Sequence, residues 1–113
     1  MESNKPVIRV NSNCSNPEFL KEICAGIEEE GVPFEVMEFN DKYEALQLSK
    51  NAALNSSLGT GIGIDNSKAC FYSTAFKMET PLIECLLEDK KALRMMGCNA
   101  GRYIKRIPFK LID

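Results

Sequence analysis

The sequence predicts a three-layer α/β/α fold around a mixed, mostly parallel sheet of about five strands. Short β-branched segments alternate with amphipathic helical segments through the first half of the chain, a pattern typical of parallel βαβ units. A glycine-rich segment at residues 59–65 is followed by a turn and a second apolar segment, which predicts a hairpin and so one antiparallel strand. The 113 residues suit a single domain spanning 1–113.

The first strand is predicted at residues 7–10, and the first helix follows it. Asn16 is a suitable N-cap and Pro17 a suitable first helical residue. Gly31 is placed to adopt the left-handed conformation after the helix, and Pro33 prevents the helix from resuming. An apolar stripe should face the core, made of Phe19, Leu20, Ile23, Cys24 and Ile27.

Three consecutive glutamates, Glu28, Glu29 and Glu30, fill the last turn of this helix. The helix dipole places partial negative charge at that end, so carboxylates there are unfavourable. The run is either a solvated charge cluster or a functional site. Helical geometry places Glu29 on an acidic outer ridge, away from the core, and Glu30 near the edge of the apolar stripe.

Residues 34–39 alternate apolar and acidic side chains and form the second predicted strand. Asp41 and Glu44 have the spacing of a capping box, which should open a second helix ending near Leu54. This helix has two apolar sides, which favours cover by a partner.

The glycine-rich segment invites comparison with a phosphate-binding loop, but no helix follows it, as that motif requires. The alternating glycines should instead give one smooth strand face for close approach of a helix. The next predictions are a short extended piece at residues 80–85, a helix at 86–100 and a last strand at 103–107. The element order is then β-α-β-α-β-β-α-β.

Composition excludes several classes of function. Histidine is absent, which removes the commonest general base and metal ligand. The five cysteines are odd in number and lack C-x-x-C spacing, so neither a disulfide framework nor a zinc site is indicated, and Cys24, Cys70 and Cys85 are interpreted as small core residues. The absence of a long apolar run or a signal peptide predicts a cytoplasmic protein with no membrane partner.

Charge is distributed unevenly along the chain. Residues 17–44 carry nine acids against two bases, and residues 89–113 carry seven bases against two acids. The bases are scattered and the net charge is −2, so nucleic acid is not the expected partner. Electrostatic pairing with a protein partner fits the asymmetry better.

Three motifs together resemble a known family. Residues 26–33, 61–64 and 97–102 occur in the order and at the spacing of the small (beta) subunit of the diol/glycerol dehydratase reactivating factor. That family shares its fold with the medium subunit of the dehydratases, and the resemblance implies an anticodon-binding-domain-like arrangement. Residues 41–55 and 71–84 match only in length and patterning. The six residues before the first strand favour the reactivating factor, because the dehydratase medium subunit has an N-terminal extension.

The resemblance implies a non-catalytic subunit of a chaperone-like, heterotetramer-like complex. Its partner is an ATPase large subunit, which alone binds ATP or ADP. The complex rescues adenosylcobalamin-dependent diol or glycerol dehydratase, as in propanediol utilisation, by exchanging subunits and releasing damaged cobalamin. Association with a bacterial microcompartment is a further expectation.

The resemblance also implies one site residue. A small-subunit glutamate in the motif at residues 26–31 helps to bind magnesium at the interface with the large subunit, and its position matches Glu29. A carboxylate is a suitable hard ligand for magnesium. No catalytic or cofactor-binding residue is expected in this chain.

Two alternatives remain open from the sequence. The chain could be a medium-subunit-like structural component of the dehydratase itself. It could also be a small unrelated α/β module that binds an anionic ligand at the glycine hairpin.

Overall fold

The computed structural model describes residues 6–76 and 79–111. Its strands are β1 (Ile8–Ser12), β2 (Phe34–Glu38), β3 (Thr60–Ile64), β4 (Lys68–Ser73) and β5 (Ile83–Leu86). Its helices are α1 (Pro17–Glu29), α2 (Ala45–Leu54) and α3 (Lys90–Lys105). The sheet order is β2-β1-β3-β4-β5, with β1 parallel to both neighbours and β4 antiparallel to both of its own. The mixed, mostly parallel sheet with one antiparallel strand is confirmed.

The helices lie on both faces of the sheet. Helices α1 and α3 pack together over one face, and α2 packs on β1, β3 and β4 from the other. The main apolar core lies under α1 and α3, where Ile23, Ile27 and Leu93 meet strand residues such as Val10 and Phe71. In the described part of the chain, no helix is long and apolar enough to cross a membrane.

The start of α1 and its end follow the sequence prediction. The Asn16 side chain accepts a hydrogen bond from the Glu18 amide at 3.0 Å. At the other end Gly31 has a φ of 71°, and its amide donates to the Glu28 carbonyl at 3.0 Å. Both ends of the helix are set by residues close to them in the sequence, which explains why the sequence reveals them.

Helix α2 packs on the glycine face of β3. A Cβ at Gly61 would meet the Ala53 amide nitrogen and the Ser49 carbonyl oxygen, and a Cβ at Gly63 would meet the Ala45 carbonyl oxygen. The predicted close approach of a helix is confirmed. Gly61 and Gly63 are covered by α2, so an anionic ligand cannot occupy that face, whereas Gly59 lies before β3 in a left-handed conformation and faces Thr74.

Helix α2 begins later than predicted. Its N-cap is Glu44, whose amide donates to the Gln47 side chain at 3.3 Å, so the capping pair is Glu44 with Gln47 and the Asp41 assignment is wrong. The Asp65 carboxylate, which lies after β3, also accepts from the Ala45 amide at 2.9 Å. This distant acceptor helps to fix the helix start and has no local signature.

The prediction of a last strand at residues 103–107 is wrong. Helix α3 starts at Lys90 and continues through Lys105, and Arg106 ends it in a left-handed conformation with a φ of 61°. Gly101 resembles a helix stop in the sequence but lies inside α3, where a Cβ would be 2.8 Å from Glu30 Cβ. The fifth strand is β5, and the observed order is β-α-β-α-β-β-β-α.

Helices α1 and α3 touch backbone to backbone at two glycines. A Cβ at Gly26 would meet the Arg94 carbonyl oxygen, and a Cβ at Gly97 would meet the Ile23 carbonyl oxygen. Ion pairs join the two helix starts, Glu18 to Lys90, and the two helix ends, Glu30 to Arg102. The helices therefore run in the same direction, with no side chain between them at the glycine positions.

Gly97→Ala is expected to destabilise the fold although alanine favours helix formation. The new methyl must push α1 away, and overpacking of this kind costs about 1–3 kcal/mol, against a gain of about 1 kcal/mol in helix propensity. Urea denaturation should show a lower midpoint. Lys91→Ala, an exposed change in the same helix, should leave the midpoint unchanged, and an equal effect of both variants would contradict the close contact.

Candidate functional site

Acidic side chains of α1 face basic side chains of α3 along the whole contact between the helices. The ion pairs of this acid–base row are Glu18–Lys90 at 2.9 Å, Glu22–Arg94 at 3.1 Å, Glu29–Arg94 at 2.6 Å, Glu30–Arg102 at 3.0 Å and Glu30–Lys105 at 3.0 Å. The expectation that the charge asymmetry serves a protein partner therefore needs correction. Much of the asymmetry is used within the chain, between two adjacent helices.

The three glutamates at the end of α1 have three different environments. Glu28 is exposed. Glu30, predicted near the core edge, has a side chain only 9% exposed and binds both Arg102 and Lys105. The hydrogen bond from Lys105, and then that from Arg102, hold the pKa of Glu30 below its ordinary value. Glu30 is thus a structural tie between the ends of α1 and α3.

Glu29 lies outward, as predicted, with 44% of its side chain exposed, but it is not a free ligand. Its Oε2 accepts from the Arg94 guanidinium at 2.6 Å, and its Oε1 accepts from the Cys98 thiol at 3.3 Å. The Arg94 hydrogen bond, and then that of Cys98, lower the pKa of Glu29, so it is ionised at neutral pH. Sequence reasoning missed both partners, because a helix wheel for α1 says nothing about α3.

An open groove of about 590 Å³ lies beside Glu29. Its lining combines both signs of charge with apolar surface: Glu22, Glu29, Lys90, Lys91, Arg94, Met95, Cys98, Lys110 and Leu111. The segment after α3 closes one side of the groove. The Asn99 side chain holds this segment, because it accepts a hydrogen bond from the Lys110 amide at 2.6 Å and donates one to the Lys110 carbonyl at 3.0 Å. Glu29 is therefore at the edge of an accessible depression.

Two of the three motifs that carry the family resemblance meet at this place. Residues 26–33 supply Gly26 and the glutamates, and residues 97–102 supply the groups that contact them. Gly97 packs on α1, Cys98 donates to Glu29, and Arg102 binds Glu30. The third motif, residues 61–64, lies in β3 under α2 and serves packing.

The model of the family described as "Dehydratase medium subunit" matches residues 5–110. The chain belongs to the dehydratase medium subunit family. Within it, the chain is 32% identical over 113 residues to the propanediol dehydratase-reactivating factor small subunit of Citrobacter freundii, covering 97% of each chain. The predicted resemblance to reactivating-factor small subunits is confirmed, and the alternative of an unrelated module is wrong.

Solved structures agree with the family assignment. A glycerol dehydratase reactivase chain superimposes with a TM-score of 0.87 at 27% identity, covering 95% of this chain and 98% of that chain. A chain of a diol dehydratase-reactivating factor complexed with ADP and Mg²⁺ gives a TM-score of 0.86 at 30% identity, covering 94% and 98%. The family fold therefore extends over nearly the whole chain.

The residues around Glu29 fit one ligand of a magnesium ion and not a complete site. Among the described residues, no group of three or more Cys, Asp or Glu side chains could hold a metal. Glu29 offers an ionised and accessible oxygen, the ligand type that magnesium prefers. Burial raises the pKa of the neighbouring Cys98 thiol, which is therefore protonated and a poor partner for so hard a cation. Any further protein ligands would have to come from another chain.

Three of the five cysteines are poorly suited to act as nucleophiles. Burial raises the pKa of Cys24 to about 11, of Cys70 to about 12 and of Cys85 to about 11, so these thiols are protonated at neutral pH. Cys70 is fully buried, and Cys24 and Cys85 are partly buried. The interpretation as a core residue agrees with the structure for Cys70, and Cys85 packs against the core, whereas Cys24 is only partly buried.

Glu30→Gln is expected to destabilise the chain by about 1–2 kcal/mol at pH 7, because two charge-assisted hydrogen bonds are weakened at a nearly buried position. Because the folded chain holds the pKa of Glu30 below its unfolded value of about 4.3, the ionised side chain stabilises the fold at pH values above that value. This stabilisation is lost as the pH falls through the folded pKa. The difference between the wild-type chain and the variant should therefore shrink below about pH 4. Denaturant unfolding between pH 7 and 3 measures it.

The matched control for that experiment is Glu28→Gln, which removes a charge from the same helix turn at an exposed position. It should change the unfolding free energy little at any pH. A loss for Glu28→Gln as large as that for Glu30→Gln would show that overall charge, and not the tie between α1 and α3, sets the stability.

Proposed function

We propose that this chain is the small subunit of a reactivating factor for adenosylcobalamin-dependent diol or glycerol dehydratase. The observation that carries the proposal is the identity of 32% to such a small subunit over 97% of both chains. With an ATPase large subunit it would form a heterotetramer-like complex that exchanges subunits with the inactivated dehydratase and releases damaged cobalamin. Membership of the dehydratase medium subunit family supports this exchange, because a chain of similar shape can take the place of a medium subunit.

The role proposed for the chain in this complex is non-catalytic. The absence of histidine, together with protonated cysteine thiols, leaves few groups suited to acid–base or nucleophilic chemistry. The glycine hairpin, which resembles a phosphate loop in the sequence, is covered by α2. ATP or ADP would therefore bind to the large subunit alone.

The purified chain is expected to hydrolyse no ATP by itself. It is also expected to contribute no catalytic group to ATP hydrolysis by the large subunit. Phosphate release, measured for the chain, the large subunit and their mixture, checks this. ATP turnover by the chain alone at a rate comparable to that of the large subunit would contradict the non-catalytic role.

Magnesium at the subunit interface is the second part of the proposal, with Glu29 as the ligand from this chain. Glu29 is ionised, 44% exposed and at the edge of the groove, so a carboxylate or water network of the large subunit can reach it. A single small-subunit ligand suits magnesium, which keeps several waters and takes few protein ligands. The diol dehydratase-reactivating factor solved in complex with ADP and Mg²⁺ supports this part of the proposal.

Glu29→Gln is expected to weaken magnesium-dependent assembly with the large subunit by roughly tenfold, because an amide oxygen is a weaker magnesium ligand than a carboxylate oxygen. Binding of the large subunit at several magnesium concentrations, followed by biolayer interferometry, measures this. Glu28→Gln, its exposed neighbour, is the control and should behave as the wild-type chain. Equal affinities for the wild-type chain and Glu29→Gln would rule out the ligand role.

A second candidate function is that of a medium-subunit-like structural component of the dehydratase. The description of the matching family model favours it. Reconstitution decides between the two functions: the chain, mixed with the large and small dehydratase subunits, would restore diol dehydration only if it replaces the medium subunit. Restored activity of inactivated holoenzyme in the presence of ATP and the large reactivase subunit would support the first proposal.

The proposed location is the cytoplasm, with the client dehydratase and so in or near a bacterial microcompartment. Neither a membrane nor a nucleic acid is proposed as a partner. The basic residues of α3 argue against a nucleic-acid partner. Arg94, Arg102 and Lys105 form ion pairs with glutamates at α1 and do not form a free basic surface.

A further inference from the structure

We propose that Arg94 competes with the divalent cation for Glu29 and so sets the magnesium concentration at which the chain assembles with its large subunit. This inference rests on the proposed function, since it takes Glu29 as the ligand from this chain. It adds a positioning residue, Arg94, and a second residue, Glu22, that holds Arg94 when Glu29 is released.

The geometry gives Arg94 two partners on α1. One guanidinium nitrogen donates to Glu29 Oε2 at 2.6 Å, and Nε donates to Glu22 Oε1 at 3.1 Å. Glu22 and Glu29 are seven residues apart, about two helical turns, and so lie on the same side of α1. Arg94 can therefore lose Glu29 and still keep an ion pair with Glu22.

The same geometry obstructs a metal at Glu29. Each carboxylate oxygen already accepts one hydrogen bond, Oε2 from Arg94 and Oε1 from the Cys98 thiol. A divalent cation bound to Glu29 would also lie within a few ångströms of the guanidinium charge, and like charges repel strongly at such distances. Because Arg94 is 41% exposed, its side chain is free to rotate toward Glu22 and the groove as the metal binds.

The competition has a consequence for the isolated subunit. Without the large subunit, Glu29 has only the metal to offset the loss of the Arg94 contact, and the described residues include no group of three or more Cys, Asp or Glu side chains that could hold the ion. With the large subunit present, the additional ligands of the partner favour the metal-bound arrangement. Arg94 therefore suppresses magnesium binding by the free chain and makes it depend on assembly.

The test is the magnesium midpoint for assembly with the large subunit, measured at saturating ADP by biolayer interferometry or by co-sedimentation. Arg94→Gln removes the competing charge and should lower the midpoint roughly three- to tenfold relative to the wild-type chain. Glu22→Gln removes the alternative partner, holds Arg94 on Glu29 and should raise the midpoint. Lys90→Gln is the control, because it breaks an ion pair between the same two helices without touching Glu29, and should leave the midpoint unchanged.

The outcomes separate this inference from the proposed function. An unchanged midpoint for Arg94→Gln would overturn the competition, and a raised midpoint would overturn it and indicate that Arg94 presents Glu29 to the metal. If Arg94→Gln fails to fold, as judged by circular dichroism, Glu22→Gln decides alone, and an unchanged or lowered midpoint overturns the inference. If Glu29→Gln assembles like the wild-type chain, the ligand assignment itself is wrong, whichever way Arg94→Gln behaves.

Discussion

The backbone contact between α1 and α3 at Gly26 and Gly97 is the constraint on which the rest of the site depends. Two helices can approach this closely only where no Cβ intervenes, and here each glycine lies against a carbonyl of the other helix. The contact fixes both the direction and the register of the pair. The acid–base row, the tie at Glu30 and the position of Glu29 follow from that register.

This contact also explains the glutamates that violate the dipole rule at the end of α1. The parallel arrangement brings the negative ends of two helix dipoles together, and Glu28, Glu29 and Glu30 add further negative charge. The compensation comes from α3, whose last turn carries Arg102 and Lys105. A metal is therefore not needed to explain the glutamate run. The proposal of magnesium at Glu29 is supported instead by the exposed position of the side chain and by the family to which the chain belongs.

Features of this chain that resemble a ligand site in the sequence are used for packing in the fold. The glycine hairpin is used for packing under α2, and Cys24, Cys70 and Cys85 are protonated. Several charged side chains line the groove beside Glu29. Arg94 is notable among them because its guanidinium is shared by the carboxylates of Glu22 and Glu29.

The sequence by itself determined the elements that have local signals. The cap at Asn16, the stop at Gly31 and the alternating glycines of β3 each express a short-range rule, and the structure contains all three. The family was also evident from the motifs. Tertiary structure alone decided the rest. Gly101 lies inside α3 where Glu30 leaves little space for a side chain, Asp65 helps to start α2 from twenty residues away, and Arg94 holds Glu29 from another helix. These contacts join residues far apart in the chain, and neither periodicity nor capping preference carries information about such partners.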